Sequence, residues 1–318
     1  MSRPFQIDSR RVLACSQVGT SMRLFVVFAL AAAALAAPLR VFAAPPAGTK
    51  KTPAAEQKQR FVRVEHDKAG KSLGLQTAVV SYAGASVGGQ PIQVDLVGAV
   101  HVADKAYYEL LNKTFTEYDS VLYELVAPAG TKVDKNRQRS SHPVSMLQDG
   151  MKDMLQLEHQ LDLVDYAPQN FVHADMSPAD LAKAMKARNE SLWTILLRVI
   201  QSSMNKQAAA PSSEFNEIDL LAAMFDPKGS IVLKKILAEQ FQDLETLSSV
   251  FEGPKGSSII TDRNQVALAV LKDQIAAGKR RIAIFYGAAH MPDIAKHLVA
   301  DFGLHPTGER WLTAWNLK

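Results

Sequence analysis

The sequence predicts an α/β fold, with duplicated strand–GAxH–helix–strand halves forming a mixed or parallel sheet and a helical cap inserted between them. Three observations carry that expectation. Ile92–Val100 and Arg280–Gly287 are largely apolar runs, as expected of strands buried on both faces of a sheet. Each leads straight into the same short pattern, GAVH at Gly98–His101 and GAAH at Gly287–His290, and then into a helical period. From about residue 140 to 256, between the two, helical period replaces strand signal.

Taken in order, the chain opens on a targeting segment. Arg10, Arg11 and Arg23 precede the 14-residue apolar run Leu24–Ala37, and Val41-Phe42-Ala43 supplies a small-residue exit. A charged start, a short apolar run and an A-x-A-like site make residues 1–43 a signal peptide and send the mature chain to the periplasm or outside the cell. The run is short of the roughly 20 residues that cross a bilayer core, so a membrane is reached only if the segment stays on as an uncleaved anchor. Met22 offers a second start. Residues 44–59, rich in Pro, Ala and Lys, read as a flexible linker, and 60–318 as a single α/β domain.

Charge follows the leader. Residues 1–43 hold five arginines and one acid; without them the 36 basic and 32 acidic residues balance. No net basicity remains to argue for nucleic acid. The only cysteine, Cys15, is in the same segment, which excludes disulfides, thiolate metal sites and a cysteine nucleophile from the mature chain.

Three strands open the domain, at Arg60–His66, Leu75–Ala83 and Ile92–Val100, with Gly88-Gly89-Gln90-Pro91 the clearest turn. After His101 a helix over roughly 104–118 places Tyr107, Leu110, Leu111 and Phe115 on one face, and Asp119–Pro128 reads as a buried strand stopped by its proline. Strand, helix and strand make one parallel crossover. In the cap, Ser177-Pro178-Ala179-Asp180 is a helix start: Ser as N-cap, Pro at the first position, an acid in the first turn. The polar stretches 206–213 and 253–258 break and close the helical block. A helix over 262–277 takes Thr261 as N-cap and Gly278 past its end, and the strand 280–287, a helix over 293–302 and a strand over 310–317 finish the chain.

Superposing His101 on His290 matches Gly98 to Gly287, Ala99 to Ala288 and Asp104 to Asp293, and sets Glu124 against Thr313, so the acid belongs to the first copy alone. Ligands collect beyond the carboxyl ends of parallel strands, where both motifs and Glu124 would lie. His101 and His290 are therefore candidate site residues. Asp104 and Asp293 are suited to cap the following helices or, alternatively, to orient the imidazoles. Glu124 sits in an apolar strand, VLYELV; a buried carboxylate needs a cation, so a metal or an arginine should be near, unless it simply faces solvent. Arg263 would begin a helix, where a cation opposes the dipole; pairing with Glu124 or holding a substrate carbonyl would explain it, as would plain exposure. Asn264 is a weaker candidate. His173 and Asp175, in NFVHADMSP, would reach in from a cap loop or serve only that loop. Signatures of serine hydrolases, P-loops, thermolysin-like zinc sites and dinucleotide folds are lacking.

GAVH, Glu124, the Arg263-Asn264 pair and GAAH, in that order, resemble the TraB/PrgY/GumN family, which is related to Tiki proteases and erythromycin esterases. The resemblance runs from about Gln93 to the C-terminus and is loosest in the helical middle. It implies an α/β fold of duplicated halves with the site between them. Tiki-like members are metal-dependent peptidases using the paired histidines and the glutamate; esterase-like members use His and Glu as acid and base without metal. Other members are described only as pheromone-shutdown or polysaccharide-cluster proteins, so membership does not fix a reaction.

The expectation is then an exported metal-dependent hydrolase acting on a peptide or a related amide or ester. His101 and His290 would bind Zn, Mn or Co, with Glu124 as third ligand or base and Arg263 stabilising the developing oxyanion. Two alternatives stand beside it: a metal-free hydrolase with a histidine base, and a non-catalytic protein that sequesters a peptide or haem-like ligand.

Overall fold

The computed structural model describes residues 59–85, 89–131, 157–191, 229–241 and 256–318, with positions 133, 155 and 194. The signal segment, all of the linker but Gln59, and the stretch 206–213 lie outside the described residues. In chain order the elements are β1 (Val62–His66), β2 (Ser72–Ala85), β3 (Pro91–Ala99), β4 (Val102–Ala103), α1 (Lys105–Phe115), β5 (Ser120–Tyr123), β6 (Glu158–His159), α2 (Gln160–Leu163), β7 (Phe171–His173), α3 (Pro178–Ala187), α4 (Gly229–Phe241), α5 (Arg263–Ala276), β8 (Arg281–Gly287), α6 (Met291–Ala300) and β9 (His305–Asn316).

Seven strands form one mixed sheet. Its centre is parallel, in the order β3-β8-β5-β7, and β3 meets β8 in register from Gln93 opposite Arg281 to Ala99 opposite Gly287. β2 runs antiparallel to β3. Its residues 74–77 pair with both β1 and β9, and 79–83 with both β3 and β9, so β1 and β3 share one edge of β2 and β9 takes the other. The apolar runs are apolar because they are central: Ile282, Ala283, Ile284 and Phe285 of β8 have no exposed surface. α1 buries Tyr107, Tyr108, Leu111 and Phe115, while α6 buries Met291, Ile294, Ala295 and Leu298. Leu110, expected on the buried stripe, is exposed; Tyr108 has its place. Among the described residues no helix is long and apolar enough to cross a membrane.

The segment 140–256 is not purely helical. β6 pairs with β4 in a two-stranded ribbon, and β7 joins the main sheet beside β5, with Tyr123 opposite His173. Three residues are too few to show a two-residue period, so β7 left no pattern to read. The recurrence of the halves also stops short of their full length. After His101 the chain runs through β4 before α1 begins, whereas α6 starts directly after His290. β5 then lands beside β8, but β9 lands on β2. Strand and motif recur; the paths that follow them diverge.

Candidate active site

Because β3 and β8 are parallel neighbours, His101 and His290 leave the sheet side by side at the same end. The backbone that carries His101 is pinned on both sides. The hydroxyls of Tyr107 and Tyr108 donate to the Gly98 and Val100 carbonyls at 3.2 and 3.1 Å. Trp315 Nε1 donates to the Val102 carbonyl at 2.7 Å, and the Gln160 amide donates to the His101 carbonyl at 2.9 Å. His290 ends a short 3-10 turn, Ala288–His290, and is buried at 4% exposure.

Glu124 lies one residue past β5, not inside it, and its amide still donates to the Phe285 carbonyl at 3.2 Å. Its carboxylate is held at both oxygens. Arg263 Nη2 donates to Oε1 at 2.6 Å, and the Gly287 amide donates to Oε2 at 2.7 Å. The same guanidinium serves a second acid: Nε and Nη2 donate to Asp175 Oδ1 and Oδ2 at 2.9 and 2.6 Å, a forked pairing that fixes its plane. Burial by itself would raise the Glu124 carboxyl; the Arg263 charge, the neighbouring His290 and His101 and the Gly287 amide together outweigh it and hold the group well below the usual carboxylate range. Burial opposes charge on Arg263 as well, and the two carboxylates keep it protonated.

The start of the helix that carries Arg263 differs from the expectation. The cap of the helical segment is Ser257, whose hydroxyl accepts from the Ile260 amide, and a π-turn over Ser258–Asp262 runs on into α5. Thr261 Oγ1 instead accepts from the Ser257 amide. Arg263 therefore stands a turn inside a continuous helical stretch, and the dipole argument against it falls away. Nor does it face an open substrate space: at 3% exposure, its Nε and Nη2 are committed to carboxylates. Of the roles expected for Arg263, its hydrogen bond to Glu124 shows the partner of that carboxylate.

His290 is oriented from behind. Its Nδ1 is 2.7 Å from Asn264 Oδ1, and Asn264 Nδ2 donates to Asp293 Oδ2 at 2.8 Å. Its Nε2 is turned to Glu124 Oε1 at 3.6 Å. Burial pushes the His290 pKa down to about 4, against the pull of Glu124, so the ring is neutral at pH 7. With Nδ1–H donating to Asn264, Nε2 carries the lone pair. His101 is half-buried, and its Nδ1 lies 3.3 Å from Gln160 Oε1.

Gly287 is the floor on which these groups meet. A methyl group built on its Cα would stand 3.3 Å from Glu124 Oε2, 3.7 Å from His290 Cδ2 and 3.8 Å from His101 Nε2. Its backbone, at φ −51° and ψ 138°, is open to any residue. The glycine is thus needed for room, not for conformation.

The remaining candidates separate. Asp293 accepts from Asn264, the residue behind His290, whereas Asp104 caps nothing with its side chain: it pairs with Lys234 at 2.8 Å and accepts from the Asn316 amide at 2.5 Å. His173 ends β7, and its Nε2 contacts the Leu125 carbonyl at 2.7 Å. Asp175 is drawn in through Arg263. Gln160 and Tyr286 also take part. Gln160 lies in a segment with no motif of its own. Tyr286, whose hydroxyl donates to the Ala174 carbonyl beside Asp175 and whose ring meets His290 edge-on at 5.3 Å, reads in sequence as one more apolar strand residue.

As a donor set, two imidazoles and a carboxylate suit a divalent ion of the Zn, Mn or Co type, and imidazoles tied back through Nδ1 to amide oxygens are the usual outer support of such ligands. Among the described residues no three His, Cys, Asp or Glu side chains are already gathered to ligand spacing.

No protein-family model, curated protein or solved structure matches this chain.

Proposed function

We propose that the protein is an exported hydrolase of peptidase type, acting on a peptide or a related amide or ester, with His101, His290 and Glu124 holding a divalent ion. One observation carries the reading. His290 Nε2, a lone pair, faces Glu124 Oε1, an anion, across 3.6 Å, and His101 Nε2 borders the same space. Acceptors that face one another call for a cation or a proton between them. A divalent ion there would supply Lewis acidity toward a scissile carbonyl. Glu124, kept ionised by Arg263 and the Gly287 amide, supplies fixed negative charge and not a strong base. Hydrolysis places the hydroxyl of water on the carbonyl carbon and its remaining proton on the departing amine or alcohol.

A second reading rests on Arg263 itself. Its Nη2, 2.6 Å from Glu124 Oε1, already neutralises the carboxylate that a metal would need. Without metal, His101 or His290 takes the proton of the attacking water and returns it to the leaving group. The resemblance to the TraB/PrgY/GumN family fits either chemistry. The test is metal analysis of protein purified without chelator, together with a peptide-library cleavage screen that uses His101→Ala as control. Bound metal with chelator-sensitive cleavage supports the first reading. Cleavage by metal-free protein, untouched by chelator, replaces it with the second. Peptide that binds and is never cleaved under any metal removes both and leaves a sequestering protein.

A further inference from the structure

We infer that Asp293 is a positioning residue: acting through Asn264, it selects which nitrogen of His290 carries the proton and keeps Nε2 free to face Glu124. Asn264 has no exposed surface, and its amide offers two chemically opposite ends. Asp293 Oδ2, at 2.8 Å, is an acceptor, so the end it meets is the NH2 group. The other end, a carbonyl, stands 2.7 Å from His290 Nδ1 and has to be met by N–H. A neutral ring has one proton, so Nε2 has none. With the amide reversed, its carbonyl would confront the carboxylate and its NH2 group would meet Nδ1, sending the proton to Nε2. That proton would then point at Glu124 and block the nitrogen that the proposed function needs.

The carboxylate comes from the first turn of α6 and the amide from α5, so the relay also ties together the two helices that flank the site. Asp293 has one other ionisable neighbour given by the structure, His297, whose Nε2 lies 4.0 Å from Oδ1 and whose Nδ1 is held by Asp301 at 2.5 Å. The rival account is structural: an acid in the first turn of a helix stabilises it through the dipole, with no bearing on His290.

Ring-nitrogen NMR of the full chain, labelled with 15N-histidine, treated with chelator and held at pH 7, separates the two. The His290 signals are assigned by their loss in His290→Asn. In the unaltered protein Nδ1 is expected protonated and Nε2 bare. Asp293→Ala is expected to mix or invert the two, whereas Asp293→Asn, whose own carbonyl can accept from Asn264, retains the original pattern. Zinc affinity, titrated on the same samples, is expected to fall about 10- to 100-fold in Asp293→Ala and far less in Asp293→Asn. A bare Nδ1 in the unaltered protein overturns the inference without any variant, and so does a folded Asp293→Ala protein whose tautomer is unmoved. The inference rests on the proposed function for its purpose, yet the tautomer is read without metal or substrate. Protein that binds no zinc and cleaves nothing therefore defeats the hydrolase and leaves this assignment to its own test.

Discussion

His101 and His290 hold the same place in the same motif, at the ends of neighbouring parallel strands, and live in different surroundings. His290 is almost wholly enclosed, its Nδ1 fixed by an amide that is itself fixed by a carboxylate. His101 is half-buried, at 3.3 Å from a glutamine whose own amide reaches the Tyr166 hydroxyl at 2.9 Å. The motif decides where each ring stands; the helix packed behind it decides what meets its Nδ1. The site therefore sets a buried, closely held imidazole beside a half-buried one with a longer outer contact.

The largest expected effect comes from removing what only the His290 side possesses, the cation shared by Glu124 and Asp175. Arg263→Leu leaves two carboxylates buried without their partner and should cost about 3–5 kcal/mol in urea denaturation at pH 7. Arg263→Leu combined with Asp175→Leu should recover part of the loss. If the single variant is as stable as the parent, the ion-pair network does not hold the site together.

Acid should act through His290 next. Its pKa of about 4 in the folded protein lies below the ordinary 6.5, so between these values the unfolded chain binds more protons. Stability from this group is complete above pH 6.5, declines as the pH falls and is gone below about 4, a span on the order of 3 kcal/mol. Glu124, whose folded value is depressed, adds a further loss as the pH falls below its ordinary 4.5. Denaturation of chelator-treated protein across this range should show the upper decline, and His290→Asn should flatten it. A flat parent profile would mean that His290 is charged or exposed.

Gly287→Ala puts a methyl group between the two rings. The backbone accepts it, and the tight 3.3 Å approach to Glu124 Oε2 should cost about 1–3 kcal/mol, while zinc binding and any cleavage are lost. A variant that folds and still binds zinc at parental affinity would place the ion, and the meeting point of the histidines, elsewhere.

How much of this could be read in advance depended on whether a residue announces its partner. β3 and β8 were legible because central parallel strands are apolar throughout, and Glu124 because a carboxylate within such a run demands a cation. That the cation is Arg263 was one of the open alternatives, since 139 positions separate the two. The partnership of Asp175 with Arg263 was hidden because β7 is too short to leave a period. Thr261 was mistaken for the helix cap because a π-turn has no sequence signature, and the true cap, Ser257, lies six positions before α5. Asp104 and Asp293, identical by alignment, took different work because a side chain's partner comes from whatever packs against it: Lys234 of α4 in one case, Asn264 of α5 in the other.

The smallest expected effect, and the most direct comparison, sets Asn264→Leu against Gln160→Leu. Each removes the oxygen behind one imidazole. Losing Asn264 strands the buried His290 Nδ1 and removes the donor to the partly buried Asp293 Oδ2, and should cost about 1–3 kcal/mol. Losing Gln160 removes a longer contact to a half-buried ring that water can reach, for about 0.5–1.5 kcal/mol. Urea denaturation of the two variants side by side measures the gap. Equal losses would mean that the histidines are held alike and that burial, not the outer partner, sets them apart. A larger loss at Gln160 would make His101, and not His290, the more firmly held of the two imidazoles.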